Sequence, residues 1–304
     1  MYDVIIVGGG PAGMTAALYA RRNGKTVLVL EKEGFGGQIT HSPKVENYPG
    51  TFSMSGNEFA EQLLDQILRQ GAEIELETVT QVCPAGDAFT VHTEENLYES
   101  RTVILATGVR HRMLGLEGEE ELVGEGISFC AVCDGDFYSG QKVCVAGGGN
   151  SAMQEAVLLA GKCSEVIMLQ DLDYFTGEER LRETLFALPN VRALTGTRIE
   201  QLLTAEGSLC GVVVSDRKTG ARKEIACDGL FVAIGLIPEN EAFAGLASLD
   251  SAGYFDSDER CLTKTPGLFA AGDCRRKNVR QLTTAAADGA AAALAACRYI
   301  SENA

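Results

Sequence analysis

The chain has 304 residues, enough for about two domains, and its 45% hydrophobic and 22% charged content excludes a mainly disordered state. Lys and Arg number 26 against 42 Asp and Glu, a formal charge of −16, which excludes generic nucleic-acid binding and opposes docking on an anionic membrane. No apolar run approaches the length of a membrane span, and the start MYDVIIVGGG lacks a basic leader and a cleavage site, so a cytoplasmic chain is expected.

In chain order, the apolar run 2–7 predicts a strand that ends in Gly8-Gly9-Gly10-Pro11-Ala12-Gly13. A helical pattern follows to about Arg22, then a second strand over 26–30, closed by Glu31. Strand, glycine turn, helix, strand and trailing acid form the dinucleotide fingerprint. Gly8 makes the tight turn, Gly10 lets backbone approach a pyrophosphate, and Gly13 lets the helix pack on the strand. The helix N-terminus offers N–H groups to phosphate, and Glu31 is placed to accept from a ribose hydroxyl.

The pattern repeats. KVCVA (142–146) ends in Gly147-Gly148-Gly149-Asn150-Ser151-Ala152, followed by a helix and the strand EVIML (165–169). Each unit has a later partner strand, TVILATGV (102–109) and LFVAIGL (230–236). The chain then returns through GLFAAGDC (267–274) to an Ala-rich helix from about Thr283 to Tyr299, bracketed by Asp288 and Arg298. The expected fold class is α/β, with two Rossmann-like dinucleotide-binding domains, the second inserted into the first. The limits read as 1–112 with 245–304, and 113–244, with candidate hinges near Arg110-His111-Arg112 and Pro238–Phe243.

Of the 10 cysteines, most read as small buried hydrophobes. Cys130 and Cys133 are spaced C-x-x-C, which on a turn entering a helix brings two sulfurs within disulfide reach, with Asp134 adjacent to move a proton. A zinc site needs two more ligands, and no second C-x-x-C or His pair exists; His41, His92 and His111 are scattered and read as surface residues. No metal is expected; an inert pair is the bland alternative.

With these motifs in hand, the sequence resembles the low-molecular-weight thioredoxin reductase family, a branch of the flavoprotein disulfide reductases. The matching segments run nearly end to end: VIIVGGGPAG, GGQIT with VENYPG, ILATG, FCAVCDGDFY, VAGGGNSA, FAAGDC and RQLTTAAADG. The resemblance implies FAD in the first fold, held by Gly8, Gly10, Pro11, Ala12, Gly13 and Glu31. Gln38 and Asn47 would lie toward the flavin, Asp273, Arg280 and Gln281 on the segment closing over the flavin and its phosphates, and Gly37, Ala106, Thr107, Gly108 and Gly272 would also bind the cofactor. It implies that Cys133 is the thiol nearest the flavin, Cys130 attacks the partner disulfide, and Asp134 is the acid–base residue. It also implies a thioredoxin-like protein partner, a homodimer, and an inserted domain that rotates between flavin and partner.

The chain departs from the family at the second dinucleotide site, expected at Gly147, Gly149, Asn150, Ser151, Ala152, Gln170 and Asp171. NADPH-using members carry H-R-R-x-x-x-R after the second strand of the inserted domain; here the run is Gln170-Asp171-Leu172-Asp173-Tyr174-Phe175-Thr176. A carboxylate beside a 2′-phosphate is repulsive, so NADPH is disfavoured. The glycine cradle still suits NADH or a second FAD, as in a two-flavin offshoot of the family. Reduced ferredoxin is a further alternative donor, with Arg275, Arg276, Lys277 and Arg280, or Arg110 and Arg112, as a basic cluster to seat it. A reading from another class, a flavin-binding regulator without turnover, is opposed by the intact Cys130, Cys133 and Asp134.

Overall fold

Val4–Val7 are buried on both faces, as a parallel strand covered on each side requires. In the computed structural model, which describes residues 1–42 and 45–303, this strand is β1 (Tyr2–Val7). It leads to α1 (Pro11–Arg22), β2 (Val27–Glu31), α2 (Gly56–Arg69), β3 (Glu73–Leu76), β4 (Val79–Ala85), β5 (Ala88–Thr93), β6 (Leu97–Leu105) and β7 (Arg110–His111). Next come β8 (Ile127–Ser128), α3 (Ala131–Asp134), β9 (Lys142–Ala146), α4 (Asn150–Ala160), β10 (Glu165–Leu169), α5 (Glu179–Phe186), β11 (Val191–Leu194), β12 (Thr197–Ala205), β13 (Ser208–Asp216), β14 (Arg222–Ala226) and β15 (Gly229–Val232). The chain closes with β16 (Leu236–Ile237), β17 (Leu268–Ala270) and α6 (Leu282–Glu302).

The chain divides into Met1–Arg110 with Ile237–Ala304, and His111–Leu236. Sequence reasoning puts the divisions at 112/113 and 244/245. Residues 237–244 pack with the first unit: Phe243 lies in its core, and the fully buried Asn240 donates to the carbonyls of Gly253 and Cys274.

In the first unit the sheet order is β3-β2-β1-β6-β5-β4. β1 runs parallel to β2 and β6, while β4, β5 and β6 form an antiparallel meander. β6 changes partner along its length, from β5 at Leu97–Ser100 to parallel β17 at Val103–Leu105. One apolar core lies between the sheet and α1, α2 and α6, the other on the opposite face around Phe243 and Phe255. α2 starts at a reciprocal cap, in which the Ser55 hydroxyl accepts from the Glu58 N–H and the Glu58 carboxylate from the Ser55 N–H.

The second unit repeats the plan, with a parallel sheet in the order β11-β10-β9-β15-β8 and α4 following β9 as α1 follows β1. An antiparallel sheet β12-β13-β14 packs its Leu202, Val212 and Val214 into the same core. The parallel open sheets place both glycine turns at the carboxyl ends of their first strands, where ligands bind in such folds.

Candidate active site

The first glycine turn is held in a shape that other residues would not adopt. Gly8 has φ +109°, and a Cβ there would lie 2.3 Å from the Ala106 carbonyl oxygen. A Cβ on Gly13 would lie 1.9 Å from the Gly8 oxygen, so the turn and α1 touch backbone to backbone. A Cβ on Gly10 would meet no protein atom nearer than the Gly36 oxygen at 3.9 Å; its open side borders a cavity of about 360 Å³. Glu31 ends β2 beside it, its carboxylate accepting from the N–H groups of Gly9 at 2.6 Å and Glu33 at 3.0 Å.

The cavity is lined by Gly8, Gly10, Pro11, Ala12, Glu31, Gly37, Gln38, Ala106, Thr107, Gly108, Gly272 and Asp273, which converge from five separate segments. Gly13 lies beneath the turn. Asn47 and Gln281 meet each other outside the lining, the Asn47 amide donating to Gln281 Oε1 at 3.1 Å. Arg280 also lies outside it, stacked over the Tyr254 ring at 4.2 Å and donating to the carbonyls of Asp273 and Arg275. Sequence reasoning missed Glu77, Thr78 and Val79 at the head of β4, and Glu239. Glu239 binds Lys32 at 2.6 Å and Arg110 at 3.0 Å. No motif marks these residues, because only the tertiary fold brings them to the cavity.

Asp288 is a correction. It does not bracket α6; it is buried within the helix and pairs with Arg275 at 2.7 Å and Lys277 at 3.1 Å. Its carboxylate also accepts from the Gly272 N–H at 3.0 Å. Burial opposes its ionisation, but the Arg275 hydrogen bonds and the Lys277 charge outweigh that and hold the carboxyl below its ordinary value. Lys277 is shared with Asp273 at 3.2 Å, whose own carboxyl is pushed up by burial against the pull of Lys277 and Arg280. Arg276 pairs with Asp256 at 3.1 Å. The basic run 275–280 is thus tied up within its own unit rather than presented as a free patch.

Cys130 and Cys133 form a disulfide with their Cα atoms 5.3 Å apart. Cys130 caps α3, and its sulfur accepts from the Cys133 N–H at 3.2 Å. Ser128, which sequence reasoning missed, ties the turn to Asp134: its hydroxyl accepts from the Cys130 N–H at 3.1 Å and donates to Asp134 Oδ2 at 2.6 Å. Its place two residues before Cys130 was the available signal. Burial pushes the Asp134 carboxyl up, against the Ser128 hydrogen bond, and Asp134 Oδ1 is buried with no hydrogen-bond partner. Such a carboxyl is suited to carrying a proton for the adjacent sulfurs. The other cysteines are mostly buried; Cys210 is exposed and Cys83 half-buried. His111 is stacked on Phe129 at 4.4 Å rather than lying free on the surface.

The second glycine turn copies the first, with Gly147 at φ +126° and its Cβ position 2.5 Å from the Ala233 oxygen. Gly149 precedes Asn150 and Ser151, both exposed at the start of α4, while Ala152 is buried beneath. Gln170 is buried; it packs against Gly148 and donates to the Tyr174 carbonyl at 3.0 Å. Asp171 pairs with Arg217 at 3.0 Å and Asp173 with Lys218 at 3.1 Å. Residues 176–178 cross back over the turn, with Thr176 N–H donating to the Gly148 carbonyl at 2.9 Å and Glu178 N–H to Asn150 Oδ1 at 2.7 Å.

Comparison with known proteins agrees with this geometry. Residues 2–289 match the pyridine nucleotide-disulphide oxidoreductase family. The chain is 37% identical over 302 residues to a thioredoxin reductase of Listeria monocytogenes, covering 99% of this chain and 95% of that one. It is 40% identical over 303 residues to a thioredoxin reductase of Treponema pallidum, covering 98% and 97%. The crystal structure of thioredoxin reductase from Streptococcus pyogenes superposes with a TM-score of 0.94 at 36% identity, covering 99% of each chain. The chain belongs to the pyridine nucleotide-disulphide oxidoreductases and, within them, to the thioredoxin reductase type with two dinucleotide-binding folds.

Proposed function

We propose that the chain is an FAD-dependent protein-disulfide oxidoreductase, in which the Cys130–Cys133 disulfide accepts an electron pair from bound FAD and passes it to a disulfide of a thioredoxin-like protein. The observation that carries this reading is the closed Cys130–Cys133 disulfide, tied through Ser128 to a buried carboxyl. FAD, when bound, supplies electrons in pairs. Gly8, Gly10, Pro11, Ala12 and Glu31 would hold its adenosine and pyrophosphate; Gly37, Gln38, Thr107, Gly108 and Asp273 would hold the flavin half, with Asn47 and Gln281, joined to each other outside the cavity lining, as further flavin-side residues. The open side of Gly10 and the cavity it borders fit that group. Cys130 is read as the sulfur that meets the partner, Cys133 as the one that closes the disulfide again, and Asp134 as the residue that carries the proton. The alternative of a flavin-binding regulator without turnover leaves this dithiol site with nothing to do.

The second site is read as a dinucleotide cradle without a 2′-phosphate pocket, suited to NADH or a second FAD and not to NADPH. The pairs Asp171–Arg217 and Asp173–Lys218 support this, because the cations nearest the run 170–176 are already matched to its carboxylates. A ferredoxin donor finds less support, since Arg275 and Lys277 are buried against Asp288 and Arg110 is paired with Glu239. No helix among the described residues is long and apolar enough to cross a membrane, in keeping with a cytoplasmic enzyme. A homodimer is supported by the apolar groove beside α1, α2 and α6, where Leu18, Tyr48, Met54 and Phe59 lie near the exposed Phe52.

The decisive experiment counts flavins per chain and mixes the oxidised protein anaerobically with NADH, NADPH or reduced ferredoxin while following flavin absorbance. Colourless protein after gentle purification overturns the proposal. Rapid bleaching by NADPH alone overturns the reading of residues 170–176.

A further inference from the structure

One ionisable side chain in the second unit sits where the fold calls for an apolar one. The buried face of α4 is Ala152, Met153, Ala156 and Leu159, packed into a core with Ala131 of α3. Glu155 is half-buried beside that stripe, next to Ala156. Its Oε2 is buried with no hydrogen-bond partner, as is Oδ1 of Asp134. An unpartnered buried carboxylate oxygen is costly, so a pair on neighbouring helices points to a role in chemistry rather than in packing.

We propose that Glu155 is a positioning residue for the dithiol–disulfide reaction, forming with Asp134 a two-carboxyl unit beside the Cys130–Cys133 turn that carries one negative charge instead of two. The proposal rests on the reading of Cys130 and Cys133 as the redox pair.

Among the described residues Asp134 is the charged group that acts on Glu155, and several charges on the elements around α4 are matched to one another. On α5, Glu179 pairs with Arg182; on β9 and β10, Lys142 pairs with Glu165 at 3.3 Å; and Asp136, beyond α3, pairs with Lys162 at 2.5 Å. Burial, and then the charge of Asp134, push the Glu155 carboxyl up to about 8. Two carboxylates in one poorly solvated place do not both ionise readily. At neutral pH Glu155 therefore keeps its proton, and Asp134 is the member left to exchange one.

During disulfide reduction Cys130 gives its thiol proton to solvent, its thiolate sulfur bonds to one sulfur of the partner disulfide as the partner S–S bond breaks, and the other partner sulfur leaves and takes a proton from solvent. Cys133 then gives its thiol proton to Asp134 and its sulfur bonds to that of Cys130. The second partner sulfur leaves and takes that proton. The cysteine pair is oxidised, the partner is reduced, and two protons follow the electron pair. A second negative charge from ionised Glu155 opposes thiolate formation at the turn, so Glu155 sets the alkaline limit of this sequence.

The test uses the full-length flavoprotein reduced with dithiothreitol and desalted anaerobically. Alkylation of Cys130 and Cys133 by iodoacetamide is followed by peptide mass spectrometry between about pH 6 and pH 10. The wild type should show a second inflection in its pH–rate profile near pH 8, where Glu155 ionises. Glu155→Gln should remove that inflection and alkylate about threefold faster than the wild type at the alkaline end, while Glu155→Asp should restore it. Asp134→Asn, a second variant, should move the inflection to lower pH by removing the charge that opposes Glu155. Superimposable profiles for wild type and Glu155→Gln, in protein whose disulfide forms normally, overturn this proposal alone. Two free thiols in the air-oxidised wild type overturn the redox reading and this proposal with it.

Discussion

Asp288 holds Arg275 through two hydrogen bonds, from Nε to Oδ2 at 2.8 Å and from Nη2 to Oδ1 at 2.7 Å. Both side chains are nearly inaccessible, and the same carboxylate accepts from the Gly272 N–H that frames the cavity. Removing one partner of such a pair strands a buried charge. Asp288→Asn should therefore destabilise the chain by about 3–5 kcal/mol, read as a lower urea midpoint at unchanged slope. Because the Asp288 carboxyl is held below its ordinary value, its contribution is present above about pH 4 and lost as pH falls through the native value. The gap between wild type and Asp288→Asn should narrow in acid.

The first glycine turn yields a second prediction. A side chain at Gly8 meets both an unfavourable φ and the Ala106 carbonyl oxygen at 2.3 Å. Gly8→Ala should cost about 1–3 kcal/mol and lower the flavin retained per chain, measured by absorbance after gel filtration. Gly10→Ala faces no such backbone clash, so it should fold nearly normally and still bind the dinucleotide less well. Equal flavin content in wild type and Gly10→Ala would remove Gly10 from the binding surface.

The two glycine turns were legible in the sequence because their physics is local: a short apolar strand, a turn that excludes side chains, and a helix starting at once. β9 and β10 match the runs KVCVA and EVIML residue for residue. What was not legible depends on distant segments. Nothing near Asp288 announces that Arg275 and Lys277 fold back onto it, and Ala-rich neighbours make it look like a solvated interruption of a helix. Glu239 likewise reaches the cavity only because residues 237–244 join the first unit. Ser128 and Glu155 escaped notice for a different reason: a serine two residues before a cysteine is a weak signal and a glutamate in a helix an ordinary one, and the Ser128–Asp134 hydrogen bond and the buried Glu155 Oε2 give them meaning.

The second site can be tested by charge reversal. Asp171 is exposed and engages Arg217 at 3.0 Å. Asp171→Arg removes a carboxylate from the run proposed to face the 2′ position of the ribose and frees Arg217. Preference for NADPH over NADH, measured as the ratio of anaerobic flavin reduction rates, should rise by about tenfold or more, the effect of roughly 1.4 kcal/mol at one charged contact. Gln170→Arg should do less, because Gln170 packs inward on Gly148 and a longer side chain there must first swing out. An unchanged ratio in both variants would mean that nicotinamide dinucleotides do not use this cradle.

The dithiol assignment makes the sharpest prediction. Cys130 caps the short helix and receives the Cys133 N–H on its sulfur, while the Ser128 hydroxyl accepts from the Cys130 N–H and donates to Asp134. Cys133→Ser leaves Cys130 able to attack a partner disulfide but removes the sulfur that releases the mixed product. Turnover should fall by at least about a thousandfold, the flavin should stay bound, and a covalent adduct with a thioredoxin-like substrate should accumulate on non-reducing gels. Ser128→Ala should act more mildly, because it deletes the hydrogen bond that opposes the upward push of burial on Asp134. With that bond gone the Asp134 carboxyl rises further, so the pH at which it gives up its proton moves to the alkaline side. The pH–rate profile for thioredoxin reduction by Ser128→Ala should shift in that direction without losing its maximum, and a shift toward acid would contradict the hydrogen-bond account of how Asp134 is tuned.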